Sequence, residues 1–201
     1  NHGIYVAADD LDAVKGIYKR IVDAIGGKIT RRPDFQDQCE VYRDSRETGE
    51  LLRKAAESGE SGESGGERRF VRFRRNNEIA RLVKDRAAFA PVSSAYTPDH
   101  IVYSGSDPLF VEKGEDAEGA FALHSRKTGR PPKIAAVQGL GVFGIGSSDD
   151  NAALALELFT DTMKVAAYAE AFGGPRFMTD EKIAFINNWE AEHYRQKLTE
   201  K

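Results

Sequence analysis

Residues 139–150 read Gly139-Leu140-Gly141-Val142-Phe143-Gly144-Ile145-Gly146-Ser147-Ser148-Asp149-Asp150. Val142 to Ile145 is a short apolar run between glycines, which predicts a buried strand. Two serines and two acids then open a helix. A serine oxygen can accept from the free N–H groups of the first turn, and the carboxylates suit its positive end. An Ala/Leu-rich helix is predicted from Asp149 to Phe172, stopped by Gly173-Gly174-Pro175. Its Ala152, Leu156, Phe159, Met163 and Ala167 form one apolar stripe. Gly139 to Gly144 also spells G-x-G-x-x-G. A dinucleotide site needs the helix to begin inside that motif, so that its N-terminus meets the pyrophosphate. Here the strand runs on and the helix starts after Ser148. The glycines are therefore read as allowing close strand packing, and a nucleotide-dependent oxidoreductase has no further support in the chain.

The pattern extends outward in both directions. Strands are predicted at Arg69–Arg74, His100–Tyr103, Leu109–Val111 and Lys133–Val137. Asn76 or Asn77 caps a short helix through Ile79, Leu82 and Val83, and Asp116–Lys127 is a second helix. Thr179 caps a terminal helix carrying Ile183, Ile186, Trp189 and Tyr194. Upstream, Gly3 to Ala8 reads as a buried strand, followed by a helix from Asp9-Asp10 to Gly26-Gly27, and Asp37–Glu57 is a polar helix. Strands alternating with helices predict an α/β or α+β layer fold. Glu57 to Gly65 repeats Glu-Ser-Gly three times without an apolar residue, the composition of a flexible linker.

The first strand–turn–helix and the one at residues 139–150 echo each other. Gly3-Ile4-Tyr5 aligns with Gly141-Val142-Phe143, Asp9-Asp10 with Asp149-Asp150, and Gly26-Gly27 with Gly173-Gly174. The unit is used twice, with His2 in the first copy where the second has Leu140. A leucine can neither bind a metal nor move a proton, so the second copy is expected to be degenerate. Asn1, not methionine, opens the chain, which is read as the C-terminal part of something larger.

At 201 residues and 40% hydrophobic content the chain can bury a full core. A net charge of −3 gives no overall attraction for nucleic acid or anionic lipid. Arg68 to Arg75 alternates arginines with Phe70, Val71 and Phe73, and is read as an amphipathic strand with outward arginines. No run approaches the roughly 20 apolar residues that span a bilayer. A lone cysteine, Cys39, excludes an internal disulfide and a cysteine-based zinc site, and fits a reducing compartment such as the cytoplasm.

Asn1-His2-Gly3-Ile4, a short strand and Asp9 resemble the third metal-binding histidine motif of the class II aldolase/adducin family. Phe89-Ala90-Pro91-Val92-Ser93-Ser94, Thr97-Pro98-Asp99-His100 and Pro108-Leu109-Phe110-Val111 resemble the C-terminal region of its longer members. Pro132–Gly146 and Trp189-Glu190 extend the likeness. The resemblance implies a three-layer α/β/α domain with a mostly antiparallel sheet at residues 67–178. Before it would lie the tail of a catalytic copy at 1–56, packed on it through the helix after Asp9, and a linker at 57–66. A C-terminal helix would follow at 179–201.

The resemblance further implies a zinc-dependent parent protein that cleaves a C–C bond in a sugar phosphate, with His2 as one zinc ligand. This chain would be its non-catalytic region, without bound zinc of its own, for the family's upstream His-x-His pair is absent. No catalytic residue is assigned. The alternative is an oligomerisation or small-molecule-binding module, and a homo-oligomer is the expected assembly. Ser93, Ser94, Thr97, Asp99 and His100 gather hydroxyls, an acid and an imidazole in one irregular stretch, and are the candidate ligand-binding residues. Their structural alternative is a turn capped by Asp99. Ser147 and Ser148 could bind an anion through free N–H groups or simply cap their helix.

Overall fold

A computed structural model of the chain describes residues 3–38, 43–58 and 67–189. Its helices are α1 (Leu11–Gly26), α2 (Arg43–Ser58), α3 (Asn77–Leu82), α4 (Arg86–Phe89), α5 (Ala117–Thr128), α6 (Asp149–Ala169) and α7 (Asp180–Asn187). Four strands, β1 (Phe70–Arg74), β2 (Leu109–Val111), β3 (Ile134–Val137) and β4 (Gly141–Gly146), form one sheet in the order β1-β4-β3-β2.

The sheet is mixed, not mostly antiparallel as expected. β1–β4 and β3–β4 are antiparallel, with Phe73 opposite Phe143 and Ala135 opposite Phe143. β2 and β3 are parallel, with Phe110 opposite Ala136. The reason is the connection: α5 lies between β2 and β3, and a helical crossover returns the chain in the same direction. β3 and β4 are joined by a tight turn in which Gly139 adopts φ +74° and the Leu140 N–H donates to the Val137 carbonyl. Arg75 clamps that turn, donating to the carbonyl oxygens of Gly139 and Leu140.

Alternation along the strands feeds two cores, one on each face. Phe110, Ile134, Ala136 and Val142 join the α6 stripe (Ala155, Leu156, Phe159, Met163) and Phe89. Leu109, Val111, Ala135, Phe143 and Ile145 face Leu52 and Ala56 of α2 and Phe121 of α5. The arrangement is helix, sheet, helix, and α2 closes the second face. Glu57 belongs to the end of α2, where its carboxylate accepts from the Arg69 N–H at 3.1 Å; residues 59–66 of the expected linker lie outside the described residues.

Caps match the sequence closely. The side chains of Asp10, Asn76, Asp116, Ser148 and Thr179 each accept from the first turn of the helix that follows. α7 covers only part of the expected terminal helix, and residues 190–201 lie outside the described residues.

Two expected strands are absent. Residues 3–8 have no regular structure, and Ile4 and Tyr5 are 55% and 91% exposed. A strand needs a neighbour to pair its backbone, and no described strand lies beside this segment. The helix after Asp9 has no fully buried residue; Val14, Ile17 and Ile21 on one face are half-buried. His100–Ser104 forms a π-helical turn instead of a strand. Hydroxyls stabilise it locally: Thr97 Oγ1 accepts from the His100 N–H, and Ser104 Oγ donates to the His100 carbonyl. Ile101 and Val102 then bury against Ala95 and Ile186, and this packing overrides their β preference.

Residues 31–38 are tied to the domain by charge. Glu78, almost fully buried, accepts from Arg31 at 2.6 and 3.1 Å and from Arg81 at 2.7 Å. Arg31 also reaches Glu170 at 2.9 Å. Hydrogen bonds from Glu170 first, then Glu78, hold Arg31 more firmly charged than usual, and the same Arg31 contact lowers Glu170.

Of the four glycines between residues 139 and 146, three (Gly141, Gly144 and Gly146) act in packing by the absence of Cβ. A methyl on Gly146 would come within 2.6 Å of the Ala152 backbone nitrogen. One on Gly144 would run into the Ala152 carbonyl oxygen and come within 2.7 Å of Leu156 Cγ. Backbone atoms in the capped first turn of α6 cannot retreat without parting helix from sheet. Gly144→Ala is therefore expected to cost roughly 1–3 kcal/mol or more, read as a lower midpoint in urea unfolding.

Candidate functional site

A cleft of about 470 Å³ opens at the end of the sheet where β3 begins and β4 stops. The start of β3 brings Lys133, the end of β4 brings Gly146 and Ser147, and the C-terminus of α5 brings His124 and Arg130. The turn before β2 adds Ser106 and Asp107, and Arg69 stands at the start of β1. Among its charged lining residues, three cations (Arg69, Arg130 and Lys133) meet one carboxylate, Asp107.

Each polar group is positioned by the local fold. α5 ends on Gly129, whose φ of +76° turns the chain out of the helix. Thr128 Oγ1 spans that end, within 2.9 Å of both the His124 and Arg130 carbonyl oxygens. Lys133 Nζ donates to the Val102 carbonyl of the π-helical turn at 2.6 Å. Ser106, itself buried, donates to Asp107 at 2.5 Å. At the other wall, Asn151 Nδ2 donates to Ser147 Oγ at 2.9 Å while Ser148 Oγ caps α6.

His124 is the unusual member. Its ring hydrogen-bonds the Asp107 backbone, yet its Nε2 is shielded from solvent and has no partner. Buried polar atoms are normally satisfied. With the other ring nitrogen donating to a carbonyl, the neutral ring offers Nε2 as an acceptor. Burial pushes the imidazole below its ordinary value, and neighbouring Lys127 adds to this, while Asp107 opposes it.

The residues singled out in the sequence lie elsewhere. Ser93 is exposed and donates to the Ala90 carbonyl at 2.8 Å, and Ser94 is half-buried. Thr97 Oγ1 accepts from the His100 N–H at 3.3 Å, and Asp99 is exposed. His100 is 1% exposed; its Nδ1 accepts from the Tyr96 N–H and its Nε2 lies 3.1 Å from Asp161 of α6. Tyr96 packs on Phe177 at 5.0 Å and donates to the Pro91 carbonyl, and burial pushes its phenol up to about 12. None of the five residues lines the cleft at the sheet end. The serine pair is divided: Ser148 caps α6, and Ser147 lines the cleft.

His2 lies outside the described residues, as do Cys39 and His193. Among the described residues, no three His, Cys, Asp or Glu side chains gather closely enough to hold a metal ion. No described helix is long and apolar enough to cross a membrane. On β1, Arg72 pairs with Asp149 and Arg74 with Glu157, so two arginines of the basic stretch are engaged by α6.

No family model and no curated protein matches the chain. Among solved structures it is similar to an aldolase II superfamily protein from Pseudomonas syringae, at 13% identity and a TM-score of 0.44. The match covers 76% of this chain and 60% of that one. At this level the likeness bears on neither activity nor ligand.

The lowered His124 pKa means the unfolded chain binds the proton more readily, so stability falls as pH drops below about 6.5. His124→Gln is expected to flatten the loss of thermal midpoint between neutral pH and about pH 5, measured by calorimetry against the unaltered chain.

Proposed function

We propose that this chain is the non-catalytic, C-terminal region of a cytoplasmic class II aldolase-like protein acting on a sugar phosphate, and that its own task is to hold a small molecule in the sheet-end cleft. The observation that carries the second half is the cleft itself. It has the volume of a small-molecule site, and its wall includes His124, whose buried Nε2 has no protein partner. The first half rests on the sequence resemblance around His2 and residues 89–111.

The described residues do not fit a zinc ion, having no clustered ligand set. Any metal would depend on His2 together with ligands supplied from elsewhere, and no chemical step is derived through it. Nor do the described residues supply an identified nucleophile. His100 and Asp161 form a hydrogen-bonded pair, but the ring is enclosed by the core and by Tyr96. Recognition, with chemistry contributed by another part of the protein, is the role these groups can perform.

Two measurements test the proposal. A panel of polyols, small acids and sugar phosphates is screened by thermal shift, against the chain and against Asn187→Trp, which places an indole at the cleft wall. At least one compound should raise the midpoint of the chain and leave the variant unmoved. If none does, the binding role is wrong. In the parent protein, His2→Ala should abolish zinc-dependent C–C cleavage; undiminished cleavage would dismiss the aldolase assignment.

A further inference from the structure

We infer that the outer edge of β1 takes a second copy of this chain, whose residues 4–8 add to the sheet as an antiparallel fifth strand. The inference is independent of any ligand in the cleft.

Hydrogen-bond alternation identifies the open edge. The Ile145 N–H donates to the Lys133 carbonyl at 2.8 Å, so Ile145 turns its backbone groups toward β3. Along an antiparallel strand, successive residues turn those groups to opposite sides. Val142, Gly144 and Gly146 therefore face β1, where they meet Arg74, Arg72 and Phe70. Val71 and Phe73 point the other way, outward from β4. The two ends of that edge are taken: Glu57 accepts from the Arg69 N–H, and the Gln38 N–H donates to the Arg75 carbonyl. Between them, the N–H and C=O groups of Val71 and Phe73 bond to no described residue, and no described strand lies outside β1. The β1 side chains are occupied on both faces, Val71 and Phe73 in the core beneath α2, Arg72 and Arg74 with acids of α6. A bare edge between covered faces is a template for another strand.

The chain also holds the matching piece. Ile4-Tyr5-Val6-Ala7-Ala8 begins with β-branched and aromatic residues, which favour a strand. Yet the segment has no regular structure, and Ile4 and Tyr5 are exposed. Its length suits β1, which has 5 residues. Charge suits it too. Asp9 and Asp10 follow the segment, and β1 runs between Arg68-Arg69 and Arg74-Arg75. Arg74 is engaged by Glu157 and Arg75 by the Gly139 turn, whereas Arg68 is exposed. Antiparallel pairing sends the two acids to Arg68, and it is the more stable ladder. Pairing β1 with β1 of the other copy about Arg72 would instead set Arg69 against Arg75, and like charges in opposition destabilise a sheet. In its own chain the segment lies beyond α1 and pairs with no described strand. A second copy presents it while α1 keeps its place, and reciprocal exchange closes a two-fold dimer.

Sedimentation velocity on the whole chain, over a concentration series, should show monomer giving way to dimer. Neighbouring N–H groups of a strand point in opposite directions, so Tyr5→Pro and Val6→Pro between them remove a donor in any register. At least one should raise the dissociation constant about tenfold, the worth of one or two hydrogen bonds. Both positions lie outside the two cores, so the fold is kept. Amide exchange read by NMR locates the contact. The Val71 and Phe73 amides should exchange about tenfold more slowly once about nine chains in ten are dimeric, while those of Phe70, Arg72 and Arg74 stay slow at every concentration. A chain monomeric throughout, a dimer indifferent to both proline variants, or a dimer in which Val71 and Phe73 exchange as in the monomer would overturn the inference. So would protection of those two amides in a monomer, which would put the segment on its own chain's edge.

Discussion

The close approach of α6 to β4 governs the rest of the fold. Gly144 and Gly146 leave no side chain between strand and helix, so the helix backbone rests almost directly on the sheet. The other parts take their places from that contact. The α6 stripe fills the first core, and β4, held flat beneath it, turns Phe143 and Ile145 toward α2 and α5 on the far face. The polar edges of α6 reach outward to three separate segments. Asp149 and Glu157 meet β1, Asp161 meets His100 of the π-helical turn, and Glu170 meets Arg31. One helix thereby fixes sheet, turn and N-terminal segment together.

The cleft is a by-product of this arrangement. β3 begins and β4 ends on the same side of the sheet, and α5 stops there on Gly129. The sheet end therefore gathers backbone turns and the side chains that flank them.

Much of the fold was legible because its signals were local. The Asn76, Asp116, Ser148 and Thr179 caps, the apolar stripe of α6 and the glycines that stop it all act within a few residues. The misreadings lie where distant partners decide. His100-Ile101-Val102-Tyr103 looks like a strand by composition, but Thr97, Ser104 and the apolar contact with α7 make it a turn. Gly3–Ala8 looks like a buried strand, yet no described strand pairs with it. The cleft was hardly legible at all. His124 sits in an unremarkable helical stretch, and Arg130 and Lys133 flank a proline pair. Only the parallel crossover from β2 through α5 to β3 brings them opposite Ser106 and Asp107. The one forward signal was Ser147, read as a possible anion contact at the head of a helix.

α1 stands apart from this interdependence. It has a good cap in Asp10, yet it buries no residue against the domain. A 16-residue helix that buries no residue is near the margin of stability in water, where about 12–15 residues are already needed. Its amides should therefore open and exchange with solvent hydrogen without waiting for the sheet to unfold. The chain carries two clocks. One, in α1, runs at the rate of helix fraying. The other, in β4 and α6, runs at the rate of the whole domain's opening.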